Sequence, residues 1–148
     1  MTEFIRISKN KLQELITIAY KNDDELLSKY HVCKFSLEEA VHSTLEMVTI
    51  SEGELQLKFY KVEYNDTPIG YVITSGNHLY SFGIAIEYRV KKVLSEWWDK
   101  LKKILGEKFT CLLFSNNERA IGYLQRRGMV IEWQSTEHKD LNEVLLKY

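Results

Sequence analysis

The sequence is poor in residues that break or bridge a chain: its 148 residues include one proline, Pro68, and two cysteines, Cys33 and Cys111. No Pro-, Gly- or Ser-rich linker, internal repeat or low-complexity stretch divides it, so 1–148 reads as one domain. The cysteines lie in different kinds of segment, and no disulfide is expected. Cys111 sits in the apolar run 109–114, where a thiol acts as a small core side chain, and Cys33 precedes a helix start, where half-exposure is expected. His31, His42, His78 and His138 lack the spacing of metal ligands, so no metal site is expected. No apolar run approaches the roughly 18 residues of a membrane span. The start, Met1-Thr2-Glu3-Phe4-Ile5-Arg6, lacks a signal peptide's basic-then-apolar order. The expected location is cytoplasmic, with no membrane partner. A net charge of −1 gives no general attraction to nucleic acid, and none is expected as a partner.

What the chain has instead is 45% hydrophobic and 28% charged residues, the balance of a globular domain, arranged in clear periodicities. A short strand is expected at 4–7. Asn10 then reads as the cap of a helix with Leu12, Leu15, Ile16, Ala19 and Tyr20 on one face. Ser36 and Glu39 form a capping-box signature ahead of the stripe Ala40, Val41, Thr44, Leu45 and Val48. Alternation over 55–62, a turn at 65–68 and an apolar return at 69–74 predict a hairpin, and the turn 75–77 leads into a third strand at 79–86. The period then changes. Val90, Val93, Leu94, Trp97, Trp98, Leu101 and Leu105 follow a helical stripe to Gly106, with Trp97 and Leu101 as core residues. A buried strand (109–114), a helix (117–127) stopped by Gly128, and strands at 129–133 and 144–146 complete the order. The pattern β-α-α-β-β-β-α-β-α-β-β predicts a mixed α/β fold. The crossover helix implies that 79–86 and 109–114 are parallel neighbours.

The chemistry-bearing stretch is Ile84-Ala85-Ile86-Glu87-Tyr88-Arg89-Val90-Lys91-Lys92, where a strand gives way to the long helix. Arg89, Lys91 and Lys92 crowd an end that is already positive from its free N–H groups, which costs about 0.3–1 kcal/mol per cation. Two readings account for this. Either an anion sits on that end, or the side chains turn to solvent and to Glu87 and Glu96. The lysines at 100, 102, 103 and 108 read as a solvated helix face.

Strand, basic turn, long helix, strand, and then Asn117-Glu118-Arg119-Ala120-Ile121-Gly122-Tyr123 through Gly128-Met129, resemble the GCN5-related N-acetyltransferase (GNAT) superfamily. The hairpin of 64–74, with Ile69-Gly70-Tyr71, is similar as well. The resemblance implies a GNAT-like acyl-CoA N-acyltransferase fold, with a central mixed, mostly antiparallel sheet flanked by helices. It also implies acetyl-coenzyme A as cosubstrate. The pantetheine arm is then expected along Ile84, Ala85 and Ile86, and the pyrophosphate at Arg89, Val90, Lys91, Lys92, Val93 and Leu94. Asn117 and Ala120 are expected at the far side of the cleft. The chain departs from the family at the phosphate loop, whose glycines are missing: 89–94 keeps only the first residue. It departs again at the usual acid tyrosine, where Leu124 stands beside Tyr123.

The implied function is transfer of an acetyl group from acetyl-coenzyme A to a primary amine of a small molecule or peptide. The acceptor is expected to enter beside the two N-terminal helices and 30–35. Tyr123, Glu87 and His78 are the candidate proton carriers, and Ser115 a candidate for holding a water. The alternative function is a non-catalytic module that keeps the fold for assembly or ligand sensing.

Overall fold

The computed structural model describes residues 1–28, 36–136 and 142–148; Cys33, His31, His138 and the whole of the segment 30–35 lie outside the described residues. Seven strands form one sheet in the order β1-β2-β3-β4-β5-β7-β6. They are β1 (Thr2–Ile7), β2 (Lys58–Tyr64), β3 (Thr67–Ser75), β4 (His78–Ile84), β5 (Thr110–Phe114), β6 (Val130–Gln134) and β7 (Glu143–Lys147). The helices are α1 (Leu12–Tyr20), α2 (Asp24–Ser28), α3 (Leu37–Ser51), α4 (Lys91–Leu105) and α5 (Glu118–Arg126). The fold is mixed α/β. Every strand pairing is antiparallel except β4 with β5, which is parallel, as the intervening helix predicts.

Two apolar clusters sit on opposite faces of the sheet. Leu12, Leu15, Ile16 and Ala19 of α1 pack with Ala40, Val41 and Val48 of α3 over Phe59, Tyr71 and Ile73. On the other face Val93, Trp97, Trp98, Leu101 and Leu105 of α4 join Ile121 and Leu124 of α5 over Val72, Leu79, Cys111, Val144 and Leu146. Trp97 and Leu101 are buried, as the stripe predicts. The capping box at α3 forms in full, Ser36 Oγ accepting from Glu39 N–H and Glu39 returning a bond to Ser36 N–H.

Several boundaries differ from the sequence reading. Asn10 does not cap α1. A single 3-10 turn spans Lys9–Lys11, Lys11 holds the cap position, and the Asn10 side chain accepts from Ser8 instead. β2 starts at Lys58 rather than 55 because α3 runs on to Ser51 and unwinds through 52–55. Only Asn65 and Asp66 make the hairpin turn, both at positive φ (48° and 68°), so Thr67 and Pro68 already belong to β3. β4 ends at Ile84 instead of 86: Ala85 N–H still reaches Ile69 O at 2.7 Å, but Ile86–Tyr88 then curl into a 3-10 turn.

The packing of β3 on β4 requires small residues at one crossing. A Cβ on Gly70 would lie 2.0 Å from Gly83 O, and a Cβ on Gly83 would lie 2.9 Å from the Ala19 Cβ. The two glycines bring β3, β4 and α1 together where the site begins.

Candidate functional site

β4 and β5 pair only through His78 with Thr110 and Leu79 with Cys111. Beyond that point they part, because β4 continues against β3 through Ile84 while β5 continues against β7 through Phe114. The opening between them is a cleft of about 860 Å³. Ser81, Phe82, Gly83 and Ile84 line one side and Leu112, Leu113 and Phe114 the other, with α1, α4 and α5 supplying the ends.

A fully buried carboxylate ties the cleft together. Asp23, at the break between α1 and α2, is reached by Arg89 Nη2 at 2.7 Å and by Arg119 Nη2 at 2.9 and 3.0 Å. Arg89 comes from the β4–α4 connection and Arg119 from the first turn of α5, and Arg119 also faces Glu25 at 3.5 Å. Burial pushes the Asp23 carboxyl upward, but the hydrogen bonds from Arg119 and Arg89 outweigh it and hold the group below the usual carboxylate value. One acid thus fixes three segments that converge on the cleft.

This tie changes the role of Arg89. It precedes α4 rather than lying in its first turn, and its guanidinium turns back, Nε donating to Ile84 O at 2.8 Å. The cations at the start of α4 are therefore Lys91 and Lys92, both exposed. Val90 holds the cap position without any side-chain cap bond. The first helical bond runs from Leu94 N–H to Val90 O at 2.9 Å, so the N–H groups of Lys91, Lys92 and Val93 have no intrahelical acceptor and, among the described residues, no other backbone partner. No residue from 89 to 94 has a positive φ, so the glycines missing there are a matter of room for an approaching group and not of backbone conformation. Val93 is buried in the core, whereas Leu94 lines the cleft.

The remaining candidates divide. Ile84, Asn117, Ala120, Tyr123 and His78 line the cleft. Ala85 is buried with its N–H given to β3, Ile86 and Val90 are exposed at the turn, and Glu87 is exposed and outside the cleft lining. Asn117 caps α5, its side chain accepting from Ala120 N–H at 3.4 Å. The Tyr123 hydroxyl donates to Leu94 O at 2.7 Å and its ring meets Trp97 edge-on. Burial raises its pKa, so it holds its proton and spends it on a carbonyl. His78 Nδ1 lies 2.7 Å from Thr110 Oγ1, and burial lowers its pKa, which keeps the ring neutral near pH 7. Ser115 is bonded both ways to Asn142, its Oγ accepting at 3.0 Å and its N–H donating at 2.7 Å.

Sequence reasoning missed Asp23, Arg119, Tyr20, Tyr71 and Ser81 in the lining. Asn22-Asp23-Asp24 reads as a polar helix break, and nothing local marks its middle residue as buried.

A parallel pair that splays beneath a crossover helix, in a sheet otherwise antiparallel, is the architecture of the acyl-CoA N-acyltransferases. No protein-family model and no curated protein matches the chain by sequence. Solved structures do match it in three dimensions. A GCN5-related N-acetyltransferase from Rhodopseudomonas palustris covers 99% of this chain and 94% of its own, with TM-score 0.71 and 14% identity. The microcin C7 self-immunity acetyltransferase MccE, in complex with acetyl-CoA and AMP, covers 99% and 91%, with TM-score 0.66 and 12% identity. RimL, a ribosomal L7/L12 α-N-protein acetyltransferase in complex with coenzyme A, covers 99% and 93%, with TM-score 0.66 and 12% identity. The chain has the GNAT fold.

Proposed function

We propose that this protein is an N-acetyltransferase that moves an acetyl group from acetyl-coenzyme A to a primary amine. The observation that carries the reading is the splay of β4 from β5 after two pairs of ladder partners, opening a cleft of about 860 Å³ next to an uncapped helix start. The charge at that start suits a pyrophosphate: three free N–H groups and Lys91 and Lys92, with no acid in the first turn. Bound acetyl-coenzyme A supplies the activated acyl group; the chain's own part is to hold it between β4 and β5 and align the amine against it. His78, neutral and in the lining, is the residue suited to receive the amine's proton. Tyr123 serves as a wall of the cleft, since its hydroxyl is bonded to Leu94 O.

A second reading, a non-catalytic module with the same fold, is favoured by one specific contact. The Ile84 carbonyl, which the family resemblance assigns to the pantetheine arm, is already bonded to Arg89 Nε. The readings separate on calorimetric titration of acetyl-coenzyme A at low and at moderate salt. The acetyltransferase reading expects saturable binding that weakens as salt screens Lys91 and Lys92. Heat no greater than dilution at either salt concentration selects the second.

A further inference from the structure

The cleft carries opposite charge on the two sides of the sheet. On the side of α4 and α5, Lys91 and Lys92 stand at the helix start, and Arg126 in the lining follows Tyr123 by three residues on the same face of α5. On the side of α1 and α3 the cations are already matched, Arg89 by Asp23 and Arg119 by Asp23 and Glu25. Strand alternation decides what else faces that side. Cys111, Val144 and Leu146 are buried in the cluster beneath α4 and α5, so Leu112, Phe114, Glu143 and Leu145 project from the opposite face. Phe114 and Glu143 are direct antiparallel partners, which sets their side chains next to each other, and both line the cleft with Leu112.

Two features of this wall point to a ligand. β5 is an interior strand, between β4 and β7, yet Leu112 and Phe114 are 39% and 45% exposed, because the cluster beneath α1 and α3 includes nothing from β5. The Glu143 carboxylate has no hydrogen bond or ion pair among the described residues, although its backbone is fixed: its N–H donates to Ser135 Oγ at 2.9 Å and its C=O accepts from Ser135 N–H at 3.0 Å. Glu118, in the first turn of α5, adds a second acid to the lining. An open apolar wall with a carboxylate beside it fits a cation that has an apolar body. We infer that this half of the cleft selects an amine with an aryl or alkyl body and no carboxylate of its own, the body lying on Leu112 and Phe114 and the ammonium on Glu143. An amino acid brings a second carboxylate against Glu143 and is turned away. Naming that amine the acyl acceptor rests on the acetyltransferase reading; the union of apolar wall and unpaired carboxylate does not.

The test titrates the full chain at pH 7 and low salt while NMR follows the Leu112 methyl and Phe114 ring resonances. The probes are 2-phenylethylamine, 2-phenylethanol (the same body without charge), free phenylalanine (the same body with an added carboxylate) and ethylamine (the charge without the ring). The wild type is expected to bind 2-phenylethylamine about three- to fivefold more tightly than 2-phenylethanol, the range of one exposed ion pair. Phenylalanine should fall below the alcohol, and ethylamine at least about tenfold below 2-phenylethylamine. Raised salt should shrink the preference for the amine over the alcohol. Glu143→Gln, at an exposed position, should abolish that preference and leave the alcohol's affinity unchanged, whereas Leu112→Ala should weaken amine and alcohol alike. Leu112 and Phe114 unmoved by 2-phenylethylamine, equal affinity for amine and alcohol in the wild type, or a preference that survives Glu143→Gln overturns the inference. Calorimetry with acetyl-coenzyme A on the same sample separates the two claims. Acetyl-coenzyme A binding without the amine preference removes this seat and spares the acetyltransferase reading; the amine preference without acetyl-coenzyme A binding does the opposite.

Discussion

Replacing Asp23 by asparagine removes one charge from the point where α1, the β4–α4 connection and α5 meet. The side chain is fully buried, and two arginines are left facing a neutral amide. Breaking a buried ion pair by removing one partner typically costs about 3–5 kcal/mol. The arginine side chains here are 26% and 37% exposed, so the stranded charges regain part of their hydration and the expected loss falls to about 2–3 kcal/mol. For a chain of this length that corresponds to a fall in Tm of roughly 4–12 °C. The sign with pH is also fixed. The folded-state pKa of Asp23 is depressed, so its contribution is complete above the unfolded value of about 4 and is lost as pH falls through the lower folded value. Urea and thermal melts of wild type and Asp23→Asn at pH 7 and near pH 3 test this directly. A wide gap at pH 7 that narrows in acid is expected. A gap below about 0.5 kcal/mol at pH 7, the ordinary scatter for surface changes, or one that grows in acid, would refute the reasoning.

Other outcomes follow from the same structure. Trp97→Ala should cost about 3–5 kcal/mol in urea melts, since the ring is 1% exposed and packs on Phe4, Phe82 and Tyr123. Gly70→Ala should cost about 3 kcal/mol or more or prevent folding, because its Cβ would meet the Gly83 carbonyl within a rigid strand pair; a soluble variant with wild-type melting would contradict that crossing. Lys91→Ala with Lys92→Ala should leave the melting temperature of the free protein unlowered, or raise it by relieving repulsion at the helix start, and weaken acetyl-coenzyme A binding by roughly three- to thirtyfold, from about 0.3–1 kcal/mol per cation at a helix start. Arg89→Ala, by contrast, should lower stability, because Arg89 serves Asp23 and Ile84 O.

The parts of the fold that periodicity governs were legible. The stripe of α4 names its buried residues from Val93 to Leu105, and the crossover it makes dictates the parallel β4–β5 pair. The capping box marks α3 because both halves of its signal lie within four residues. Element ends were less legible, since they depend on partners elsewhere: β4 stops at Ile84 because the chain curls at Ile86, which no local pattern announces. The site was hardest. Arg89, Lys91 and Lys92 look equivalent in sequence, yet only Arg89 is drawn away, by a carboxylate 66 residues distant. Tyr20, Tyr71 and Ser81 each read as ordinary helix or strand residues, and the hydrogen bonds of the Tyr71 hydroxyl with Tyr20 and Ser81 exist only once α1, β3 and β4 are packed.

The most direct measurement of the central claim is a crystal structure of the protein grown with coenzyme A. The pantetheine arm should lie between β4 and β5, with the pyrophosphate against the N–H groups of Lys91, Lys92 and Val93. A cleft without coenzyme A at saturating concentration, or phosphates bound away from the start of α4, would contradict it.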